Sequence, residues 1–291
     1  MLSKANQFIH ALRVWALRTA SQIDLELLKR SVELQERQLS PIDKHIFLSG
    51  LINRRGLFHT SYENWRVRRC NKLLEIYGVS YFKGKKILEL GAGHGDIGAF
   101  FAELGAQVLC LDGRIQNVNF ASLKHRKIPN IRFEQFNLEK DFSSFGRFDL
   151  IINFGLIYHL RNVESHLKCC FSAADDMVLE TVVCDSTDPE KIFFCDERQA
   201  VDEEALEGTG SRPSPFYIER IAQENDFDVF RFFTADLNSG QENPTEYQFR
   251  YDWEHKNDDS YNAHFGGPDL RRFWRCKKTD ASETKLKAVD K

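Results

Sequence analysis

Three glycines alternate along the stretch ILELGAGHGDIG, which spans residues 87–98. Gly91, Gly93 and Gly95 follow a short apolar run typical of a buried strand, and a helical pattern begins after them. Glycines allow positive φ angles and let a ligand approach the backbone closely, and the amino end of a helix favours negative charge. Asp112, 21 residues after Gly91, ends the next predicted strand, where a carboxylate can hold both ribose hydroxyls. These residues together predict a nucleoside-binding corner.

The dinucleotide-binding fingerprint G-x-G-x-x-G fits this stretch poorly. Counted from Gly91 the sixth residue is Asp96, and an offset match that runs from Gly93 to Gly98 places Asp96 between its glycines. A pyrophosphate at the amino end of the helix would be repelled by the carboxylate of Asp96. The pattern therefore favours a ligand without phosphates, and it leaves a nicotinamide-dependent oxidoreductase as an alternative.

From Lys86 onward, short strands alternate with helices. The predicted strands are KKILEL, QVLCLD, IRFEQFNL, FDLIINFG and MVLETVVC. This alternation predicts an α/β fold in which a parallel sheet is covered on both faces by helices. FDVFRFF and LRRFWRCKK follow without a helix between them, so they must pair antiparallel. The prediction is a mostly parallel, seven-stranded, doubly wound sheet whose last strand is antiparallel.

The chain divides by pattern into three parts. Residues 1–60 are predicted as a helical N-terminal extension, residues 61–280 as the α/β domain, and residues 281–291 as a disordered tail. Two insertions are expected in the domain, at about residues 185–213 and 234–269. Residues 1–88 carry a net charge of +9 within a chain of net charge −3. This basic segment makes a nucleic-acid partner one hypothesis and a solvated helix face another.

Four ordered motifs resemble those of class I S-adenosylmethionine-dependent methyltransferases. ILELGAGHG is similar to their first motif, Asp112 matches the acidic residue that ends their second strand, and FDLIINFGLIYHL (148–160) resembles their fourth-strand motif. FNLE (136–139) resembles the segment that lies beside adenine, although Asn137 stands where an aspartate is commoner. The resemblance covers about residues 60–278. It implies a Rossmann-like fold, S-adenosylmethionine as the cofactor, and methyl transfer to an unidentified acceptor, a small molecule or a glycan.

The same resemblance implies which residues bind the cofactor. They are Glu89, Gly91, Gly93 and Gly95 at the methionine end, Asp112 at the ribose, Asn137 and Leu138 beside adenine, and Asn153 and Phe154 near the sulfonium. A narrower likeness, carried by GLIYHL and VLETVVCDS, is to the enzymes that modify wobble uridine in tRNA by carboxymethyl transfer. A tRNA-modifying (carboxy)methyltransferase and a non-catalytic binding protein with this fold are therefore kept as alternatives.

Tyr158 and His159 follow the fourth predicted strand and are the candidate catalytic residues, because either can orient or deprotonate a substrate. Arg212, Tyr251 and Trp253 lie in or beside the insertions and are candidate substrate-binding residues. Trp65, Arg68 and Arg69 share one face of a predicted basic helix over residues 62–77, where a phosphate contact or a solvated surface is expected.

Composition restricts the remaining classes. The seven cysteines form no C-x-x-C pair, so neither a disulfide framework nor a metal site is predicted, and a reducing, cytoplasmic location is favoured. No apolar run approaches the roughly 20 residues of a membrane-spanning helix. The first 23 residues contain no acid, which suits an amphipathic helix that pairs two copies of the chain, or an organelle transit peptide.

Overall fold

The computed structural model describes residues 61–197, 205–238, 249–261 and 269–279. By its contacts the chain divides into two compact units, Met1–Glu63 and Asn64–Lys291. The predicted extension over residues 1–60, the dimer contact and transit peptide suggested for it, and the predicted tail at 281–291 all lie outside the described residues. Within the described ranges, no helix is both long and apolar enough to cross a membrane.

The domain consists of a central sheet, a two-stranded sheet and flanking helices. The strands are β1 (Lys86–Leu90), β2 (Gln107–Asp112), β3 (Ile131–Gln135), β4 (Leu150–Phe154), β5 (Asp176–Val182), β6 (Ile192–Asp196), β7 (Thr209–Pro213), β8 (Phe227–Phe232), β9 (Phe249–Arg250) and β10 (Asp269–Lys278). The α-helices are α1 (Ser61–Tyr77), α2 (Asp96–Glu103), α3 (Ile115–Lys124), α4 (Val163–Ala173) and α5 (Pro215–Glu224).

The central sheet has the order β3-β2-β1-β4-β5-β10-β8, and the short β9 pairs with β10. Strands β1 to β5 are parallel to one another, and β10 runs antiparallel to both β5 and β8. The doubly wound sheet and its antiparallel last strand are thus confirmed. Leu90 at the end of β1 lies beside Leu111 of β2 and Asn153 of β4. The loops that follow these strands therefore meet at one edge of the sheet, where ligands bind in such folds.

Burial explains why the central strands form. The residues of β4 and β5 are buried throughout, as expected for parallel strands covered on both faces. Leu88, Leu90 and Leu179 are fully buried within one apolar cluster that also includes α4 and α5. Burying each of these side chains contributes about 1.5–3 kcal/mol, so the sheet is a rigid support for the loops at its edge.

Several boundaries follow from local chemistry. Ser214 caps α5, because its Oγ accepts a hydrogen bond from the Tyr217 amide at 3.0 Å, and Pro215 is the first helical residue. β3 ends at Gln135, before the predicted limit at Leu138, because the Asn137 side chain accepts the Glu139 amide at 3.0 Å and turns the chain out of the sheet. The first insertion contains the antiparallel pair β6 and β7, here called the hairpin, which the sequence pattern did not indicate.

Candidate functional site

The glycine-rich turn connects β1 to α2 with the backbone that the sequence predicted. Gly91, Gly93 and Gly95 have φ angles of 68°, 53° and 72°, which disfavour any residue with a side chain. The Gly91 amide donates to the Leu111 carbonyl at 2.9 Å, which anchors the turn on β2. A Cβ at Gly95 would lie 2.2 Å from the Phe133 ring. The turn is therefore restricted to glycine by both conformation and space.

Asp112 ends β2 beside this turn. One oxygen of its carboxylate accepts the Gly93 amide at 2.8 Å, and the other accepts the Arg114 amide at 2.9 Å and the Asn117 side chain at 3.1 Å. Burial raises the pKa of Asp112 above its ordinary value, against these three hydrogen bonds. Because each carboxylate oxygen can accept two hydrogen bonds, the oxygen that holds Gly93 retains capacity for a hydroxyl donor.

Glu89 is buried beneath the turn. Its carboxylate accepts the Gly98 amide at 2.9 Å and the Cys110 thiol at 3.1 Å, so it connects β1 to α2 and β2. A Cβ at Gly98 would lie 2.4 Å from this carboxylate, which explains a glycine inside the helix. Burial raises the pKa of Glu89 to about 8. Its direct contacts are thus with the protein, and its role at the methionine end of a cofactor stays a prediction.

We expect Glu89→Gln to flatten the pH dependence of stability. A carboxyl whose pKa rises from 4.5 in the unfolded chain to about 8 in the folded one binds its proton more tightly when folded. The free energy of unfolding should therefore fall as the pH rises between those two values, and the glutamine removes this component. Urea unfolding at several pH values measures it for both proteins. Parallel curves for the two proteins would contradict the expectation.

Asp96, the first residue of α2, is buried and faces three basic side chains. Lys124 donates to its carboxylate, and Arg66 Nε and His125 Nε2 each lie 3.6 Å from it. Burial acts to raise the pKa of Asp96, but these charges hold it well below its ordinary value. The Asp96 carboxylate is therefore ionised, and the basic side chains around it balance its charge. The sequence argument that Asp96 repels a phosphate is therefore not supported by its surroundings.

The predicted adenine segment, residues 136–139, is held by hydrogen bonds to buried side chains of the domain. The Leu138 carbonyl accepts His166 Nδ1–H at 3.0 Å, and Asn153 donates from Nδ2 to His166 Nε2 at 2.9 Å. The side chain of Asn153 thus points into the core beneath α4, and only its main chain lies at the strand edge. Asn137 donates to the Glu207 carboxylate at 2.8 Å, which connects this segment to the residues that precede β7.

The turn after β4 carries the two candidate catalytic residues. Gly155 has a φ of 67° and is followed by a 3-10 turn, Ile157–His159. Leu156 lies 3.1 Å from the position of a Cβ at Gly91, and the Tyr158 hydroxyl lies 3.8 Å from that of a Cβ at Gly155. Phe154 is buried, with its ring centroid 5.3 Å from that of Phe273. The turn thus lies over the ends of β1 and β4.

The hairpin brings a carboxylate to His159. Nδ1 of His159 lies 2.5 Å from one oxygen of Glu197, which also accepts the Ala205 amide at 2.7 Å. The other oxygen of Glu197 accepts Arg212 at 3.3 and 3.4 Å. Arg212 also donates to the Tyr158 carbonyl at 2.8 Å. Arg212, predicted to bind substrate, therefore connects the hairpin to the turn after β4, and Glu197 is a residue that the sequence did not single out.

A second charged cluster lies on the other side of Tyr158. Glu180 of β5 is fully buried, accepts Arg271 Nη1 at 3.0 Å, and lies 3.2 Å from Arg69 Nη2. The Tyr251 hydroxyl donates to the same carboxylate at 2.6 Å. The Tyr158 ring centroid is 5.0 Å from the guanidinium of Arg271. Burial raises the pKa of Tyr158, so its phenol stays protonated near neutral pH.

Tyr251 and Trp253, predicted to bind substrate, lie within this framework. Tyr251 is fully buried, and Trp253 donates from Nε1 to the Arg271 carbonyl at 3.0 Å. The Trp253 ring centroid is 3.4 Å from the Arg272 guanidinium. Their described contacts include residues of β5 and β10, and a direct substrate contact for either residue stays a prediction.

The basic residues of α1 are used within the domain. Arg66, Arg69 and Lys72 are buried, and Lys72 lies 2.6 Å from the Asp236 carboxylate. Arg68 donates to the Asp236 carbonyl at 2.8 Å. The solvated or phosphate-binding face expected for Trp65, Arg68 and Arg69 is therefore wrong for Trp65 and Arg69, which are buried, whereas Arg68 is only half-buried. The sequence pattern misled because a run of arginines is typical of a surface.

Three comparisons place this geometry among known proteins. Residues 62–231 match a family model described as a methyltransferase domain. A search of curated protein sequences finds no significant match.

The described part of the chain contains no group of three or more His, Cys, Asp or Glu side chains that suits a metal ion.

Solved structures of similar fold include the N-terminal domain of EvdMO1 with SAH bound. It is 17% identical, with a TM-score of 0.54 over 73% of this chain and 80% of that one. A second structure of that domain, in the presence of SAH and D-fucose, gives the same identity and TM-score over 73% and 82%. The magnesium protoporphyrin IX methyltransferase of Synechocystis PCC 6803 with bound SAH is 14% identical, with a TM-score of 0.46 over 75% and 86%. The TM-score of 0.54 for the EvdMO1 domain shows a shared fold.

Proposed function

The chain belongs to the methyltransferase-domain family and is an S-adenosylmethionine-dependent methyltransferase, and from this premise we propose that its acceptor is a small molecule bound beneath the hairpin. The observation that supports a small acceptor is that the hairpin lies over the turn after β4, Ile157–His159. Ser211 Oγ donates to the Ile157 carbonyl at 3.2 Å, and Arg212 holds the next carbonyl of the turn. A site covered in this way suits a molecule that can be enclosed.

The residues at the strand edge suit the cofactor of the family. Asp112 offers a carboxylate oxygen at the end of β2, and the positive φ angles of Gly91, Gly93 and Gly95 let a ligand approach the backbone of the turn. When bound, S-adenosylmethionine supplies a methyl group already activated on sulfur. The protein therefore has to orient the acceptor and exclude water, which is the work of residues such as Tyr158, His159 and Arg212.

An RNA acceptor receives no support from the buried basic residues of α1. The basic side chains of Arg66, Arg69 and Lys72 in α1 form ion pairs. Their partners are the carboxylates of Asp96, Glu180 and Asp236, respectively. Nucleic-acid binding usually needs exposed lysines and arginines that replace counterions along a phosphate chain. The tRNA-modifying alternative would have to draw its RNA contacts from other parts of the chain.

The proposal is tested by following the methyl group. The protein is incubated with S-adenosylmethionine labelled in its methyl group and with an extract of cells that carry the gene, and the products are separated into small molecules, RNA and protein. We expect the label in the small-molecule fraction. Label recovered in RNA or protein would contradict the small acceptor, and calorimetric titration with SAH checks cofactor binding independently.

A further inference from the structure

The pair formed by His159 and Glu197 has the geometry of a base and its orienting carboxylate. An ionised carboxylate only accepts hydrogen bonds, so the 2.5 Å contact places the proton on Nδ1 of His159. Nε2 is then the ring nitrogen that carries a lone pair. The His159 side chain is 19% exposed, whereas that of Glu197 is 8% exposed. The imidazole is thus more exposed than the carboxylate that holds it.

The charges around the pair keep each group in the state that a base needs. Burial acts to raise the pKa of Glu197, but the hydrogen bond and charge of His159, together with Arg212, hold it below its ordinary value. Burial also lowers the pKa of His159. Glu197 acts to raise it, and the charges of Arg212 and Arg271 lower it further. Near neutral pH the carboxylate is therefore ionised and the imidazole is neutral, with a free lone pair.

We propose that His159 is the general base of the methyl transfer and that Glu197 positions it, so that the acceptor atom is a hydroxyl oxygen. This inference rests on the function proposed above. A carboxylate acceptor is already ionised at neutral pH and needs no base, whereas a hydroxyl is a weak nucleophile until its proton is removed. A base held in one tautomer on the turn after β4 is a feature that a hydroxyl acceptor requires.

The step balances with groups that the site supplies. As the acceptor oxygen forms its bond to the methyl carbon, the bond from that carbon to sulfur breaks and its electron pair remains on sulfur. The hydroxyl proton passes to Nε2 of His159. The imidazolium formed is stabilised by the carboxylate of Glu197, which keeps its own charge, and the proton is later released to solvent.

The first experiment needs no acceptor. In the SAH complex of the full chain, ¹⁵N NMR of the imidazole nitrogens should show His159 at pH 7 as the neutral tautomer with Nδ1 protonated, assigned by comparison with His159→Gln. In Glu197→Gln the pKa of His159 should fall further, because the negative charge that raises it is gone. A protonated ring at pH 7, or a proton on Nε2, would overturn the proposal. Failure to bind SAH would instead count against the proposed function itself.

The second experiment uses the labelled methyl donor and the small-molecule fraction of the extract. His159→Gln should lower the rate of label transfer by roughly 100- to 10,000-fold. Glu197→Gln should lower it by about tenfold and move the acid limb of the pH–rate profile to lower pH, which a purely structural role would not do. The labelled product should resist mild alkali, as an ether does. Release of labelled methanol by alkali, which indicates an ester, or an unchanged rate in His159→Gln, would refute the proposal.

His255 provides a matched control. Its Nδ1 lies 2.9 Å from the Asp185 carboxylate, so it forms the same kind of pair, but its Nε2 is buried against the protein. Both imidazoles have a pKa below the ordinary value, led by burial. His255→Gln should therefore leave the rate of label transfer within about twofold of the wild type. A loss equal to that of His159→Gln would show that the effect is structural.

Discussion

Glu180→Gln is expected to lower the free energy of unfolding by about 3–5 kcal/mol. Glu180 is fully buried between Arg69 and Arg271, 3.2 Å and 3.0 Å from their guanidinium nitrogens. The amide keeps the shape of the side chain and removes its charge, so two buried guanidiniums lose the carboxylate that lies between them. Burial already lowers the pKa of Arg69 to about 9, which shows how costly its charge is there. Urea unfolding followed by circular dichroism measures the loss.

Glu164→Gln is the control for this substitution. Glu164 forms an ion pair with Lys168 at 2.6 Å, but the two side chains are 41% and 52% exposed. Such surface pairs contribute about 0.3–0.5 kcal/mol, so the control should unfold within about that margin of the wild type. Equal unfolding midpoints for Glu180→Gln and Glu164→Gln would show that the buried cluster contributes no more than a surface pair.

Asp112→Ala should weaken the binding of SAH about a hundredfold. The substitution removes the carboxylate whose remaining capacity would accept a ribose hydroxyl, and a hydrogen bond to a charged group contributes roughly 1.5–3 kcal/mol. It also releases the Gly93 and Arg114 amides, which this carboxylate holds at 2.8 and 2.9 Å. Asp112→Asn, which retains one acceptor oxygen, should lose about tenfold. Isothermal calorimetry measures both.

Asp149→Ala separates cofactor binding from general stability. Asp149 also accepts a strand amide, that of Lys86 at 2.8 Å, but it lies where β1 begins and therefore at the opposite edge of the sheet. Its replacement should leave the affinity for SAH unchanged. If Asp149→Ala weakened binding as much as Asp112→Ala, the ribose assignment would have to be abandoned.

The parts of the fold that could be predicted are those with a local signal. The apolar runs of β1, β2, β4 and β5 follow strand patterning, and the glycines of the turn all have the positive φ angles expected of them. The pairing of β8 with β10 followed from the lack of a helix between them. Ser214 and Pro215 marked the start of α5 because capping depends only on neighbouring residues.

The candidate site was harder to predict because its contacts join distant segments. His159 and Glu197 are 38 residues apart, and Glu197 belongs to a hairpin without a strong alternating pattern. The cluster around Glu180 unites residues from α1, β5 and β10, and charged residues in a sequence are normally assigned to the surface. Asn153 was predicted as a cofactor-binding residue from the fourth-strand motif. Its side chain faces α4 instead, because alternate residues of a strand point to opposite sides of the sheet.

The position of β10 has a consequence for how the chain matures. β10 lies between β5 and β8, yet the ribosome makes it after both. Until it emerges, β5 has an open edge, β8 has no partner in the sheet, and Arg271 is absent from its place beside Glu180. During translation the domain therefore exposes the unpaired strand edges to which chaperones and aggregating chains bind. A truncation before Asp269 would affect more than β10 itself. It would leave β5 and β8 without the strand that joins them, and the turn after β4 would lose the contact between Arg271 and Tyr158.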